Sequence, residues 1–173
     1  SAASDVYKRQ MKEYDRIAAK AQKMLHALPE AYQAAFYELV YYPVKGADLM
    51  NKKMLTAQKS RWYARQRRAA TNECAEQAKI YHDSLTYYTD RYNSLLDGKW
   101  NHMMAVSPGW MGEYQKMPPV DTCAAAQDAD MQVFIPGQDC TVGVSSVNVL
   151  PTVNPYINKD LFIELYNLSL IHI

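Results

Sequence analysis

The chain has 173 residues, 19 basic and 18 acidic side chains, and a formal net charge of +1. That length can bury one real core, or one domain with part of another. The near balance of charge argues against a dedicated nucleic-acid or membrane-surface protein, which would carry a basic excess. Hydrophobic residues at 49% fit a globular chain and not a disordered one, and no apolar run approaches the roughly 18 residues of a membrane span.

The first and last residues read as inverted copies of one another at the level of codons. Asp5-Val6-Tyr7-Lys8-Arg9-Gln10 can be written GAT GTG TAT AAG AGA CAG. Its reverse complement translates as Leu168-Ser169-Leu170-Ile171-His172-Ile173. The string resembles the mosaic end of a sequencing transposon, so 1–10 and 168–173 are expected to be adaptor sequence outside the fold. Setting aside Asp5, Lys8 and Arg9 leaves 17 charges of each sign. A segment of roughly Met11 to Asn167, cut from a larger protein, is the expectation.

Within 11–105 the patterns are helical. Tyr14, Ile17, Ala18, Ala21, Met24, Leu25 and Leu28 recur every three or four residues, as one apolar helix face requires. Pro29 suits the first turn of a second helix, in which Tyr32, Ala35, Phe36, Leu39 and Val40 repeat the spacing until Pro43 ends or kinks it. A third helix is predicted from about Val44 to Arg68. In the fourth, Cys74, Ala78, Tyr81, Leu85, Tyr88, Tyr92 and Leu95 form a heptad seam. Thr71 or Asn72 could cap its start, and Gly98 suits the left-handed residue at its end. Four such helices with short connections predict an antiparallel bundle.

Prolines and glycines mark 106–121 as a connector. Beyond it, Met131 to Ile135, Thr141 to Leu150 and Leu161 to Tyr166 are β-prone runs separated by turn residues. Three strands are too few to bury two sheet faces. The expected fold class is therefore mainly α: a helical bundle, then an incomplete β segment over 122–167 that opens a sandwich.

Chemistry-bearing motifs are sparse. There is no glycine-rich phosphate loop, nucleophile elbow or His–Cys arrangement. His26, His82 and His102 are widely separated, and Cys74, Cys123 and Cys140 lack metal-ligand spacing, so neither metal nor cofactor is expected. A Cys123–Cys140 disulfide and two free thiols both remain open. In helix three, Asn51, Gln58, Arg61 and Arg65 fall near the stripe of Ala47, Met50, Met54 and Ala57, which suits either a buried polar network or an exposed polar face. Lys59 to Arg68 also gathers five cations around Trp62 and Tyr63. That chemistry fits an ion-paired helix surface, a nucleic acid or an acidic sugar, because arginine forks a carboxylate and an aromatic ring stacks on a sugar face.

Several stretches together resemble a family. They run from Ala35 to Lys45 (AFYELVYYPVK), then Leu49-Met50-Asn51, Tyr63 to Glu73, Gly98 to Met104, Leu150 to Tyr156 and Phe162 to Asn167. Their order and spacing resemble the family 115 glycoside hydrolases, the xylan α-1,2-glucuronidases, across most of Ala31 to Asn167. The connector from Ser107 departs from the His-Ile-Gly-Tyr type of start. In that family a mixed α/β domain and a catalytic barrel precede a helical bundle and a carboxy-terminal β-sandwich. The resemblance implies that this chain carries the bundle and the first sandwich strands, with the catalytic carboxylates in an upstream barrel. Glucuronic acid or its 4-O-methyl form is removed from xylan with inversion, which needs an acid and a base on opposite sides of the bond. No catalytic residue is carried over. Candidate substrate-binding residues are Arg65, Lys99, Trp100 and Asn101. The implied partners are the barrel of the same chain and glucuronoxylan, with no nucleic acid and no membrane, homodimerisation left open, and a periplasmic or secreted location. A free-standing helical interaction module is the alternative reading, and an RNA-binding helical protein a third.

Overall fold

The computed structural model describes residues 2–104, 116–135, 154, 156 and 163–170. Its helices are α1 (Ala2–Ala27), α2 (Glu30–Phe36), α3 (Tyr42–Arg65) and α4 (Thr71–Gly98), with a π-helical turn over Tyr37–Tyr41. Strands β1 (Met131–Phe134) and β2 (Glu164–Asn167) pair antiparallel, with Met131 opposite Asn167 and Phe134 opposite Glu164. The protein is thus mainly helical, a bundle followed by a two-stranded sheet. The β-prone run 141–150 and Cys140 lie outside the described residues.

The chain divides into two units. One comprises 1–57 and 76–119, the other 58–75 and 120–173. This differs from a linear division near residue 105, because the end of α3 and the start of α4 group with the β segment.

In the first unit the helices run antiparallel. Asp15 of α1 meets Lys52 of α3 while Leu25 shares a core with Tyr41, so one helix descends as the other rises. The same holds for α3 and α4, where Tyr42 meets Tyr92 and Lys52 lies over Tyr81. Ala21, Leu25, Tyr37, Tyr41 and Tyr92 form the centre, with Phe36, Tyr42, Val44, Tyr88, Leu95, Trp100 and Met104 packed around it.

Helices two and three are one helical run rather than two helices. Pro43 has no N–H and its ring would strike the carbonyl four residues back in a regular α-helix. The wider π turn immediately before it moves those carbonyls away, so the run widens where it was expected to stop or kink. The extra residue per turn also rotates the buried face. Tyr37 is 1% exposed, whereas Leu39, placed by spacing on the apolar stripe, is 78% exposed, and Tyr32 and Val40 are exposed as well. On α1 the buried stripe narrows to Ala18, Ala21 and Leu25, leaving Ile17 and Met24 outside it.

Helix α4 keeps its predicted seam, with Cys74, Ala78 and Tyr92 buried. Its regular geometry ends earlier than Gly98. Leu95 is extended, and Leu96, Asp97 and Gly98 all have positive φ.

In the second unit α3 ends without glycine. Arg67 takes the left-handed conformation at φ 53°, Arg68 N–H donates to the Tyr63 carbonyl, and Arg67 N–H donates to that of Ala64. These two bonds make a Schellman end, whose left-handed position is ordinarily glycine. Leu168 and Ser169, expected outside the fold, join it. Leu168 N–H donates to the Asp130 carbonyl, its own carbonyl accepts from Ala126 N–H, and Ser169 is buried. Likewise α1 continues through residues 2–10.

Candidate functional site

Helix α3 buries charge in the first unit. Asp48 is 0% exposed, and Lys52 and Lys53 are buried as well. Lys45 Nζ donates to Asp48 Oδ2 at 3.0 Å, and Lys52 Nζ lies 2.9 Å from Asp48 Oδ1. That second pair is close enough to attract but off the axis of a hydrogen bond. Lys52 also donates to Asp15 of α1 and sits 5.8 Å from the Tyr81 ring centroid. The register explains the chain: steps of three and four place Lys45, Asp48 and Lys52 on one side of the helix. Burial alone would lower the Lys52 ammonium, but its bond to Asp15 and the adjacent Asp48 carboxylate outweigh that and hold its pKa above the ordinary value. Burial pushes Lys53 down, and its Nζ donates to the Lys116 carbonyl at 3.3 Å.

Tyr37, five further tyrosines and Arg91 form a continuous aromatic cluster. Ring centroids lie 5.4 Å apart for Tyr37–Tyr41, 5.9 Å for Tyr41–Tyr88 and 4.9 Å for Tyr42–Tyr92. Tyr37 Oη donates to the Tyr88 carbonyl at 3.0 Å, and the Arg91 guanidinium lies over the Tyr37 ring. Desolvation raises the Tyr37 and Tyr41 phenols well above their ordinary value. These residues pack; they do not act as acids at neutral pH.

The second unit is organised by Arg68. Its guanidinium lies 4.4 Å from the Tyr63 ring centroid and 4.0 Å from that of Tyr166, with Phe134 at 5.8 Å. Nη2 donates to Glu164 Oε2 at 2.6 Å and Nε donates to Gln66 Oε1. Nearby, Asn72 is not a helix cap but a clasp. Its side-chain amide donates to the Cys123 carbonyl at 2.9 Å, and its oxygen accepts from Cys123 N–H at 3.0 Å. Cys123 and Cys74 are free thiols, and burial pushes the Cys74 thiol up, away from nucleophilic chemistry.

The residues singled out from the sequence fall in both units. Arg65 is exposed on the last turn of α3, in the second unit. Lys99, Trp100 and Asn101 follow the left-handed turn of α4, in the first. Lys99 and Asn101 are exposed, while Trp100 packs on the tyrosine core with Lys99 Nζ 5.1 Å from its ring. Asn101 Oδ1 accepts from His102 N–H at 2.9 Å, a bond within its own loop. On α3 the inner polar residues are Asp48, Lys52, Lys53 and Ser60, rather than Gln58, Arg61 and Arg65, which are exposed. The alternation Lys45, Asp48, Lys52 is a readable sign of this, but it is also the pattern of an exposed charged face.

Among the described residues no group of histidine, cysteine and carboxylate side chains could hold a metal ion. No helix of the described residues is long and apolar enough to cross a membrane. The chain matches no protein-family model and no curated protein sequence.

Proposed function

We propose that this chain is a non-catalytic part of a xylan α-1,2-glucuronidase, a scaffold of helices and first strands that braces a catalytic domain. The observation that carries the reading is where the family-like stretches fall. Ala35 to Lys45 supplies the π turn and Tyr37 and Tyr41, and Gly98 to Met104 supplies Trp100 and Met104 against the same core. Tyr63 to Glu73 holds the Schellman end and Arg68, and Phe162 to Asn167 includes β2. Such residues specify packing, not chemistry. The order of a helical bundle followed by antiparallel strands also accords with the bundle-then-sandwich order of that family.

Inverting hydrolysis needs two carboxyl groups about 6.5–9.5 Å apart across a substrate pocket. The buried carboxylate Asp48 is engaged by two lysines and is a packing element. The catalytic pair is assigned to the upstream barrel of the parent enzyme. The assay is release of uronic acid from glucuronoxylan by the chain alone and by the gene extended through its flanking sequence. No release by the first and release by the second is the expected result. Turnover by the chain alone would overturn the scaffold reading, and an extended product inactive on every uronosyl substrate would overturn the family.

A further inference from the structure

The exposed face at the carboxy-terminal end of α3 combines two features that surface helices rarely share. Trp62 is 40% exposed although its ring is pinned edge-on against Phe134, with centroids 6.1 Å apart and planes 80° apart. Large aromatic rings fixed by packing are usually covered by it. Gln58, Arg61 and Arg65 are exposed too, at positions i−4, i−1 and i+3 from Trp62. Residues three and four apart stand about 5–6 Å from each other at Cβ, so Gln58, Arg61, Trp62 and Arg65 form one strip.

The two guanidiniums are weakly committed. Arg61 Nε lies 3.8 Å from Asp121 Oδ2, and both side chains are about half exposed. An ion pair so long and so wet is easily exchanged. Among the described residues Arg65 makes no ion pair. Arg68, three residues on, is by contrast buried and fully engaged, so it is no part of this strip.

We infer that the Gln58–Arg61–Trp62–Arg65 strip binds a carboxylate-bearing polysaccharide, with Trp62 stacking on one sugar ring and Arg61 and Arg65 forking its uronate groups. The Asp121 carboxylate, 3.8 Å from Arg61 Nε, shows that this face admits a carboxylate near the guanidinium. Arginine suits this because its planar fork matches a carboxylate through two hydrogen bonds, which a lysine ammonium cannot reproduce. A single-stranded nucleic acid is the lesser fit. It needs successive stacking platforms along a charged track, whereas this face offers one ring. The surface chemistry selects an acidic sugar without the glycosidase reading; that reading serves only to choose glucuronoxylan as a probe.

The test is affinity electrophoresis of the full chain through gels holding polygalacturonate, glucuronoxylan or unsubstituted xylan, with single-stranded RNA as a separate arm. Retardation by the two acidic polymers and little by unsubstituted xylan is expected. R61A/R65A, exposed positions that leave folding intact, should weaken retention about tenfold or more. R61K/R65K should not restore it, and W62F, which keeps the contact with Phe134, should weaken it less than W62A. Equal retention by neutral xylan, preference for RNA, full rescue by the lysine pair, or no retention at all would each overturn the inference. Binding without hydrolysis by the extended gene keeps this inference and removes the glycosidase reading; hydrolysis without binding does the reverse.

Discussion

Arg68 and Glu164, 96 residues apart in the chain, meet through a hydrogen bond of 2.6 Å that joins the end of α3 to β2. The guanidinium is also held between the Tyr63 and Tyr166 rings, so charge, fork and stacking converge on one buried side chain. R68K keeps the charge but loses the planar fork and both stacked faces. It should destabilise the strand pair by about 2 kcal/mol. Hydrogen exchange at the β1 and β2 amides should accelerate accordingly; unchanged protection there would show that Arg68 is not the anchor.

The Schellman end of α3 places arginine where glycine is the usual residue. A non-glycine residue in the left-handed region costs about 1–2 kcal/mol, and glycine's extra freedom in the unfolded chain cancels part of any gain. R67G should therefore stabilise the protein by about 0.5 kcal/mol. Chemical denaturation measures it, and a loss of stability would mean that the Arg67 side chain makes a contribution larger than its backbone strain.

The charge chain on α3 allows two substitutions to be compared. K52M leaves the fully buried Asp48 with Lys45 alone and should cost about 3 kcal/mol. D15N removes a partner whose side chain is 58% exposed and should cost under about 1 kcal/mol. Thermal midpoints of the two variants should fall in that order. Equal effects would contradict the burial of Asp48 as the deciding quantity.

Alkaline pH should unfold the helical core. The Tyr37 and Tyr41 phenols are raised in the folded protein above their ordinary value of 10.0. Above pH 10 the unfolded chain loses these protons while the folded chain keeps them, so stability falls as pH rises. Lys52, also raised, adds a loss of the same sign above its ordinary 10.5. Lys53 is lowered and acts oppositely, its gain accruing up to about its ordinary 10.5 and offsetting part of that loss. Urea midpoints at pH 8 and pH 11 should therefore differ, and Y37F should narrow the difference even though it loses the bond to the Tyr88 carbonyl.

Local pattern by itself determined the helical character of 11–98, the α4 seam, the left-handed Gly98, and the strands at 131 and 164. Each follows from spacing or backbone chemistry within a few residues. Which face each helix buries was decided only by tertiary structure. The π turn before Pro43 shifts the phase, so Tyr37 and Tyr41 turn inward and Leu39 outward, a rotation that apolar spacing cannot register. Charged residues on α3 belong to the surface by type, yet Asp48, Lys52 and Lys53 are buried because each finds a partner in the fold. The grouping of 58–75 with the β segment was equally invisible, since Arg68–Glu164 and Asn72–Cys123 are contacts between distant parts of the chain. Of the candidate site, Arg61, Trp62 and Arg65 were readable as a basic aromatic run. That Trp62 stands exposed and pinned while Arg68 is sealed between two tyrosines depends on where β1 and β2 lie against the helix end.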